Sequence, residues 1–401
     1  MTILILAAFL CGQNLFAQER TLRVDYTFTG TDRSASIAVD ELKCFDGWAG
    51  RRVNLADVPL QGNGQVLMTS HETGDTLYRQ AFSTLFQEWQ ATEEATRTCK
   101  SFEAVFLFPM PEGKADIKVE LYDFHGATAA SLVHMVDPQD ILIRKIPASK
   151  APYKYIRRGG DPATCIDVAI VAEGYKASES GRFYRDAKDA VDAILSHEPF
   201  GKFADRFNFV AVALPSQESG VSIPGKGVWK KTPLSSHFNT FYSDRYLTTL
   251  HVKDLHDALC GIPYEHIIIL ANTDNYGGGG IFNSYTLTTA HHSAFKPVVV
   301  HEFGHSFAGL GDEYYYDDQY TEYYYPDTEP WEPNITTMKD FASKWQDMVE
   351  EGTAGVFEGG GYQSKGVWRG AENCRMKTNG ADGFCAVCRR AIERIIRFYT
   401  E

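Results

Sequence analysis

Two histidines four residues apart, with a glutamate next to the first, form the strongest chemical signal in this sequence: His301-Glu302-Phe303-Gly304-His305. On an α-helix, residues i and i+4 share a face, so both imidazoles can reach one metal ion. Glu302 lies beside them, where it can take a proton from a water activated at that ion. The flanking residues support a helix. Pro297 suits a first turn, Val298-Val299-Val300 supplies apolar bulk, and Gly309 and Gly311 supply stops. A catalytic Zn2+ usually has three protein ligands plus water, so two histidines leave it one short. Asp312, just past the glycine-broken helix end, is the expected third, because the chain can turn back toward the metal there. Glu313 is adjacent, and His291 and His292 are more distant candidates.

Three other clusters carry possible chemistry. Tyr276-Gly277-Gly278-Gly279-Gly280 is not a phosphate loop, since no Lys-Ser or Lys-Thr follows at the required spacing. Seven tyrosines and eight acidic residues lie between Asp312 and Glu332, which suits either a solvated surface loop or a Ca2+ site. Cys385-x-x-Cys388 with Cys374 gives three thiols, one fewer than a structural zinc needs. Buried thiols or a local disulfide are therefore expected there.

The elements around these residues change character along the chain. Residues 20–140 read as short strands: Leu22–Phe28 alternates with period two, and Gly74-Asp75 makes a hairpin turn between Val66–Ser70 and Thr76–Gln80. Ala104–Phe108 and Ile117–Tyr122 follow the same pattern, which together favours a β-sandwich. Residues 143–162, with Pro147, Pro152, Gly159, Gly160 and Pro162, read as an interdomain linker. Beyond it, strands at Ile166–Val171, Phe207–Leu214 and Ile267–Leu270 alternate with helical spacing at Arg182–Leu195 and Asp254–Leu259, which indicates a mixed α/β domain. Ala391, Ile392, Ile395, Ile396 and Tyr399 recur with the period of a core-facing terminal helix.

Composition narrows the classes. The 401 residues carry a net charge of −13, which argues against a nucleic-acid binder. At 44% hydrophobic and 13% aromatic, the chain can bury a sizeable core. No run outside the N-terminus is long enough to span a bilayer, and residues 1–17 read as an export signal with Ala17 at its edge. A secreted, periplasmic or surface-associated protein is expected. Seven cysteines then remain, an odd number, and Cys44 with Cys99 could bridge two N-terminal strands.

The stretch from His301 to Tyr314, HEFGHSFAGLGDEY, resembles the active-site segment of metallopeptidase family 64, the IgA peptidases. That family is similar to the metzincins, zinc endopeptidases with a methionine turn beneath the metal. Cys374-Arg375-Met376 and Phe384–Cys388 resemble the family's turn and final helix, which implies that Met376 packs under the zinc without ligating it. The resemblance covers most of 160–401, and 20–140 is similar to the family's N-terminal domain. It implies peptide hydrolysis, with zinc as cofactor and a protein substrate, IgA by the family's name. It also implies an edge strand that pairs with extended substrate, here placed at Gly279, Gly280, Ser284 and Tyr285. The chain departs from general metzincin spacing. Ala308 and Gly311 stand where a glycine and the third ligand are usual, and Thr378 stands where many metzincins place a tyrosine.

The expected architecture is α+β: an N-terminal β-sandwich at 18–142, then a metzincin-like α/β zinc-protease catalytic domain at 163–401. The expected function is an exported zinc endopeptidase with Glu302 as general base. A non-catalytic surface binding module that retains the metal motif, or a zinc exopeptidase, are the alternatives.

Overall fold

The computed structural model describes residues 20–316 and 323–401. The expected export signal lies outside the described residues, as do Asp317, Asp318 and Glu322 of the tyrosine-rich segment.

The N-terminal strands are β1 (Arg20–Thr31), β2 (Ser34–Asp46), β3 (Gly64–Ser70), β4 (Thr76–Phe82), β5 (Lys100–Pro109), β6 (Ala115–Tyr122), β7 (Thr128–Val136) and the short β8 (Arg144–Lys145). They form two four-stranded sheets, β5-β1-β2-β8 and β4-β3-β6-β7. Alternation along β1 buries Leu22, Val24, Tyr26 and Phe28, which face Val66, Met68, Ile117 and Val119 of the other sheet. A short helix α1 (Leu85–Gln90) follows β4, capped by the Thr84 hydroxyl on the Gln87 N–H. Cys44 sits opposite Leu22, whereas the Cys99 Sγ lies 3.7 Å from Thr29 Oγ1. Seven residues of strand, roughly 24 Å at 3.4 Å per residue, separate those two positions. The expected bridge between them is not made.

The C-terminal half is built on β9 (Tyr153–Arg158), β10 (Ile166–Glu173), β11 (Phe207–Val212), β12 (His266–Ala271), β13 (Gly278–Ile281) and β14 (Tyr285–Thr289). These form one sheet in the order β13-β14-β12-β10-β11-β9. β10, β11, β12 and β14 run parallel and are buried on both faces, so they read as unbroken apolar or threonine-rich runs. Antiparallel β9 and β13 close the edges. Helices α2 (Ser180–Leu195), α4 (Phe295–Ala308) and α6 (Ala386–Thr400) share one core with a face of this sheet. Helix α3 (Val252–Ala258) packs instead with the sandwich strands.

Residues 143–162 are not a free linker. β8 pairs with β2 in the sandwich, and β9 pairs with β11 in the six-stranded sheet, so each end of the segment belongs to a domain. The two domains also share a core: Phe82 and Phe86 belong to the same apolar cluster as Leu234, Leu247 and Tyr285. A buried ion-pair group crosses the junction, where Arg23 bonds Asp25 at 2.6 Å and Asp257 at 2.5 Å.

Between α4 and α6 lie β15 (Tyr315–Tyr316), β16 (Ile335–Thr336), the short helix α5 (Gln346–Glu350), β17 (Phe357–Gly360) and β18 (Tyr362–Arg369). The four strands form a small sheet around β18.

Candidate active site

Helix α4 is buried almost all round, and its half-buried His301, Glu302 and His305 face a cleft of about 1190 Å³. Its position against the sheet is fixed by hydroxyls: Thr286 Oγ1 donates to the Glu302 carbonyl at 3.1 Å and lies 2.6 Å from Ser306 Oγ. Close approach of β13 to the helix requires glycine. A Cβ on Gly280 would stand 2.3 Å from the Glu302 carbonyl oxygen and 2.8 Å from the His305 Cβ.

The helix ends at Gly309, which adopts φ = +60° and donates its N–H to the His305 carbonyl. That left-handed residue reverses the chain and brings Leu310-Gly311-Asp312 back across the helix. Asn334 then clamps the return. Its Oδ1 accepts from the Gly311 N–H at 2.7 Å, and its Nδ2 donates to the Gly311 carbonyl at 2.9 Å.

The result is a convergence of acceptor atoms. His301 Nε2 and His305 Nε2 lie 3.0 Å apart, and Asp312 Oδ1 is 3.0 Å from the first and 3.2 Å from the second. His301 Nδ1 donates to the Arg375 carbonyl at 3.0 Å, and His305 Nδ1 donates to the Leu310 carbonyl. With each Nδ1 proton committed to a carbonyl, the lone pair of a neutral ring sits on Nε2, facing the carboxylate. Asp312 Oδ1 is buried and has no hydrogen-bond partner among the described residues. The spacings approach the edges of about 3.3 Å expected around a tetrahedral zinc with bonds near 2.0–2.1 Å. The three residues therefore fit a divalent metal.

The electrostatics agree. Burial alone would raise the Asp312 carboxyl, but the two imidazoles beside it hold it well below the usual range. Burial would likewise lower His305, yet Asp312 pushes it up to about 9. Such a field favours positive charge at this point, a proton or a metal ion alike. Burial raises Glu302 above the ordinary carboxylate range, partly offset by the two histidines. One oxygen of Glu302 and one nitrogen of each histidine lie within 4.8 Å of one another, a gap that a single water bridges.

The other ligand candidates lie elsewhere. Glu313 turns away, toward three cysteines. His291 bonds Asp186 at 2.8 Å, and His292 packs edge-on against Tyr276. Met376 lies under the helix: a Cβ on Gly304 would meet its Sδ at 2.9 Å.

The four residues expected at the substrate strand divide. Gly279 and Gly280 line the cleft, but Ser284 and Tyr285 do not. Ser284 is in the turn after β13. Tyr285 opens β14, an interior strand, where its buried hydroxyl donates to the Thr249 carbonyl at 2.8 Å. The edge is β13, and it is bracketed: Gly278 pairs with Arg245 and Leu247, and the Phe282 carbonyl accepts from the Ser83 N–H at 3.0 Å. Strand alternation turns Gly280, between them, toward the same edge. In the described part of the tyrosine-rich segment, the Glu329 carboxylate lies 3.9 Å from the Lys344 ammonium and the Glu332 carboxylate accepts from the Tyr324 hydroxyl at 3.1 Å, so the two do not gather into a carboxylate cage for calcium.

Two supporting residues carried no sequence signal. Tyr362 donates its hydroxyl to Asp312 Oδ2. It is delivered by pairing of the Gly361 N–H with the Asp312 carbonyl at 2.7 Å and of the Tyr362 N–H with the Tyr314 carbonyl at 3.0 Å. From the sandwich, α1 brings Glu88 to the cleft, where burial pushes it up to about 7 and the Tyr246 hydroxyl donates to it.

Comparison with known proteins agrees with this geometry. No curated protein matches the chain. Residues 155–355 and 352–396 match the family model IgA Peptidase M64, and residues 13–133 match Peptidase M64 N-terminus. The first pair of matches spans the sheet, α4 with its converging acceptors, and the methionine beneath them; the third spans most of the sandwich whose α1 walls the cleft. With more than half its length matched by the catalytic model alone, the chain belongs to the M64 peptidase family.

Proposed function

We propose that the chain is an exported, zinc-dependent endopeptidase that hydrolyses peptide bonds in extracellular proteins. The observation that carries the reading is the convergence of His301 Nε2, His305 Nε2 and the orphaned Asp312 Oδ1 on one point beside Glu302. His301, His305 and Asp312 would hold the zinc, which would supply Lewis acidity to acidify a water and polarise a scissile carbonyl.

The chain's own groups do the rest. Glu302, made more basic by burial, takes the proton of the attacking water and passes it to the leaving amine nitrogen. Gly280 offers its main chain to an extended substrate, which binds any sequence through backbone pairing. Glu88, Tyr122 and Phe124 of the sandwich form the opposite wall, so substrate is held between the two domains. Tyr362 and the carbonyls of Arg375 and Leu310 orient the three ligands. IgA is the substrate that the family's name suggests for this site.

The test is mass-spectrometric mapping of fragments after the zinc-loaded chain is incubated with denatured casein and, separately, with IgA. Cleavage at internal bonds, abolished by a zinc chelator, is expected. Removal of terminal residues alone would replace the endopeptidase reading with an exopeptidase one. Intact casein and intact IgA would overturn the reading.

A further inference from the structure

Below the catalytic helix, the three thiols that fall short of a zinc site in sequence acquire a fourth partner in space. Glu313, immediately after Asp312, turns its carboxylate toward Cys374, Cys385 and Cys388, and the four donor atoms all lie within 4.8 Å of one another. Glu313 Oε1 is 3.0 Å from Cys388 Sγ and 4.0 Å from Cys385 Sγ. Cys374 Sγ is 3.7 Å from Cys388 Sγ. Glu313, Cys374 and Cys388 are fully buried, each at 0% exposure, and Glu313 Oε2 has no hydrogen-bond partner among the described residues.

The spacing separates two chemistries. A disulfide brings sulfurs to about 2.05 Å. Two thiolates on a tetrahedral zinc, with bonds of about 2.3 Å, stand about 3.8 Å apart, and a thiolate and a carboxylate oxygen about 3.5 Å. The observed 3.7 Å matches the second, and the two sulfur-to-carboxylate distances of 3.0 and 4.0 Å straddle it. The carboxylate oxygen is held in place from the other side, where Asn334 Nδ2 donates to Glu313 Oε1 at 2.9 Å. Cys385 caps α6 and Cys388 lies in its first turn, so the helix N-terminus favours anionic sulfur there.

We infer that Glu313, Cys374, Cys385 and Cys388 bind a second, structural zinc ion. The three thiols release their protons on binding and no oxidation is involved. The ion joins the Asp312–Glu313 return loop, the Cys374–Met376 turn and the start of α6, three segments that otherwise meet through single bonds such as Glu313 N–H to the Met376 carbonyl at 2.9 Å. Because Glu313 is bonded to Asp312 in sequence, this ion fixes the backbone that presents the catalytic ligand. The inference does not depend on the catalytic reading, since the two ligand sets share no residue.

The test uses the full chain, purified with reductant, and two metals. Elemental mass spectrometry should find two zinc ions per chain in the wild type and one in His301→Ala/His305→Ala. Exchange of that double variant into Co2+ should give intense thiolate-to-cobalt charge-transfer absorption in the near ultraviolet. On the wild type itself, half-buried Cys385 should resist alkylation until the metal is chelated, while exposed Cys99 reacts throughout. No zinc in the double variant, a cobalt spectrum of that variant without thiolate bands, or a mapped disulfide among the three cysteines would overturn the inference.

Discussion

Replacing Tyr362 by Phe isolates one bond of the proposed zinc centre. The hydroxyl donates to Asp312 Oδ2, leaving Oδ1 to face the two histidines. Tyr362 also holds φ = +67°, a left-handed conformation that costs a non-glycine residue roughly 1–2 kcal/mol. Phe keeps that conformation and the ring; besides the donor it removes only the long 3.5 Å bond that the Tyr362 oxygen accepts from the Tyr314 hydroxyl. A hydrogen bond to a charged group contributes about 1.5–3 kcal/mol. The loss of a partner that orients a ligand lowers metal affinity about 10–100-fold, or about 1.4–2.8 kcal/mol at 1.4 kcal/mol per decade. The two routes agree, so Tyr362→Phe should weaken zinc about 10–100-fold at the His301–His305–Asp312 site. Competition against a chelating indicator measures this, with cobalt spectra distinguishing the nitrogen–oxygen site from the sulfur site. The fold should survive, since the aromatic packing with Tyr314 and Tyr323 is retained. Zinc affinity within threefold of wild type would refute the idea that Tyr362 positions Asp312.

Two further predictions follow from packing and burial. Gly280→Ala forces a Cβ to 2.3 Å from the Glu302 carbonyl, so it should cost about 1–3 kcal/mol, seen as a fall in Tm on the order of 5 °C, and should reduce cleavage by displacing His305. Gly113→Ala, with open space at its Cβ, should change neither, and equal effects of the two would remove the close-packing argument. His266 is buried at 3% exposure with no partner for Nε2, and burial lowers its pKa from 6.5 to about 3. As pH falls below 6.5 the unfolded chain takes up a proton that the folded chain refuses. This residue should therefore remove about 1.4 kcal/mol of stability per pH unit between pH 6.5 and about 3. Denaturant unfolding at pH 6.5 and pH 5 should show a loss about 2 kcal/mol smaller for His266→Leu than for wild type; equal losses would refute the assignment.

The parts legible in sequence were those set by local period and local chemistry. Alternation in Leu22–Phe28 and the helical stripe through Phe183, Ala187, Ala190, Val191 and Ile194 appear as β1 and α2 because their apolar faces pack as the pattern requires, although the polar face of β1 is buried too at Arg23 and Asp25. The His301–His305 pair was legible for the same reason, and Gly309 gave a local cause for the return of Asp312. What escaped depends on long-range pairing. Tyr362 reaches Asp312 from 50 residues away through the strand pairing of β18, and Glu313 meets Cys388 across 75 residues. The sheet edge beside the cleft is β13 rather than the stretch from Ser284, and it was hard to read because four consecutive glycines give no alternation from which to recognise a strand. The segment at 143–162 read as a linker from its prolines and glycines, yet Tyr153–Arg158 supplies the outer strand of the catalytic sheet, an edge position that tolerates such neighbours.

The central claim is that Glu302 moves the proton at a zinc centre built from His301, His305 and Asp312. The most direct measurement compares cleavage of fluorogenic casein by the wild type and Glu302→Gln, each at verified equal zinc content. The account predicts full metal occupancy in the variant with turnover lowered at least about 100-fold, the scale of a lost general base. Undiminished cleavage by fully loaded Glu302→Gln would contradict it.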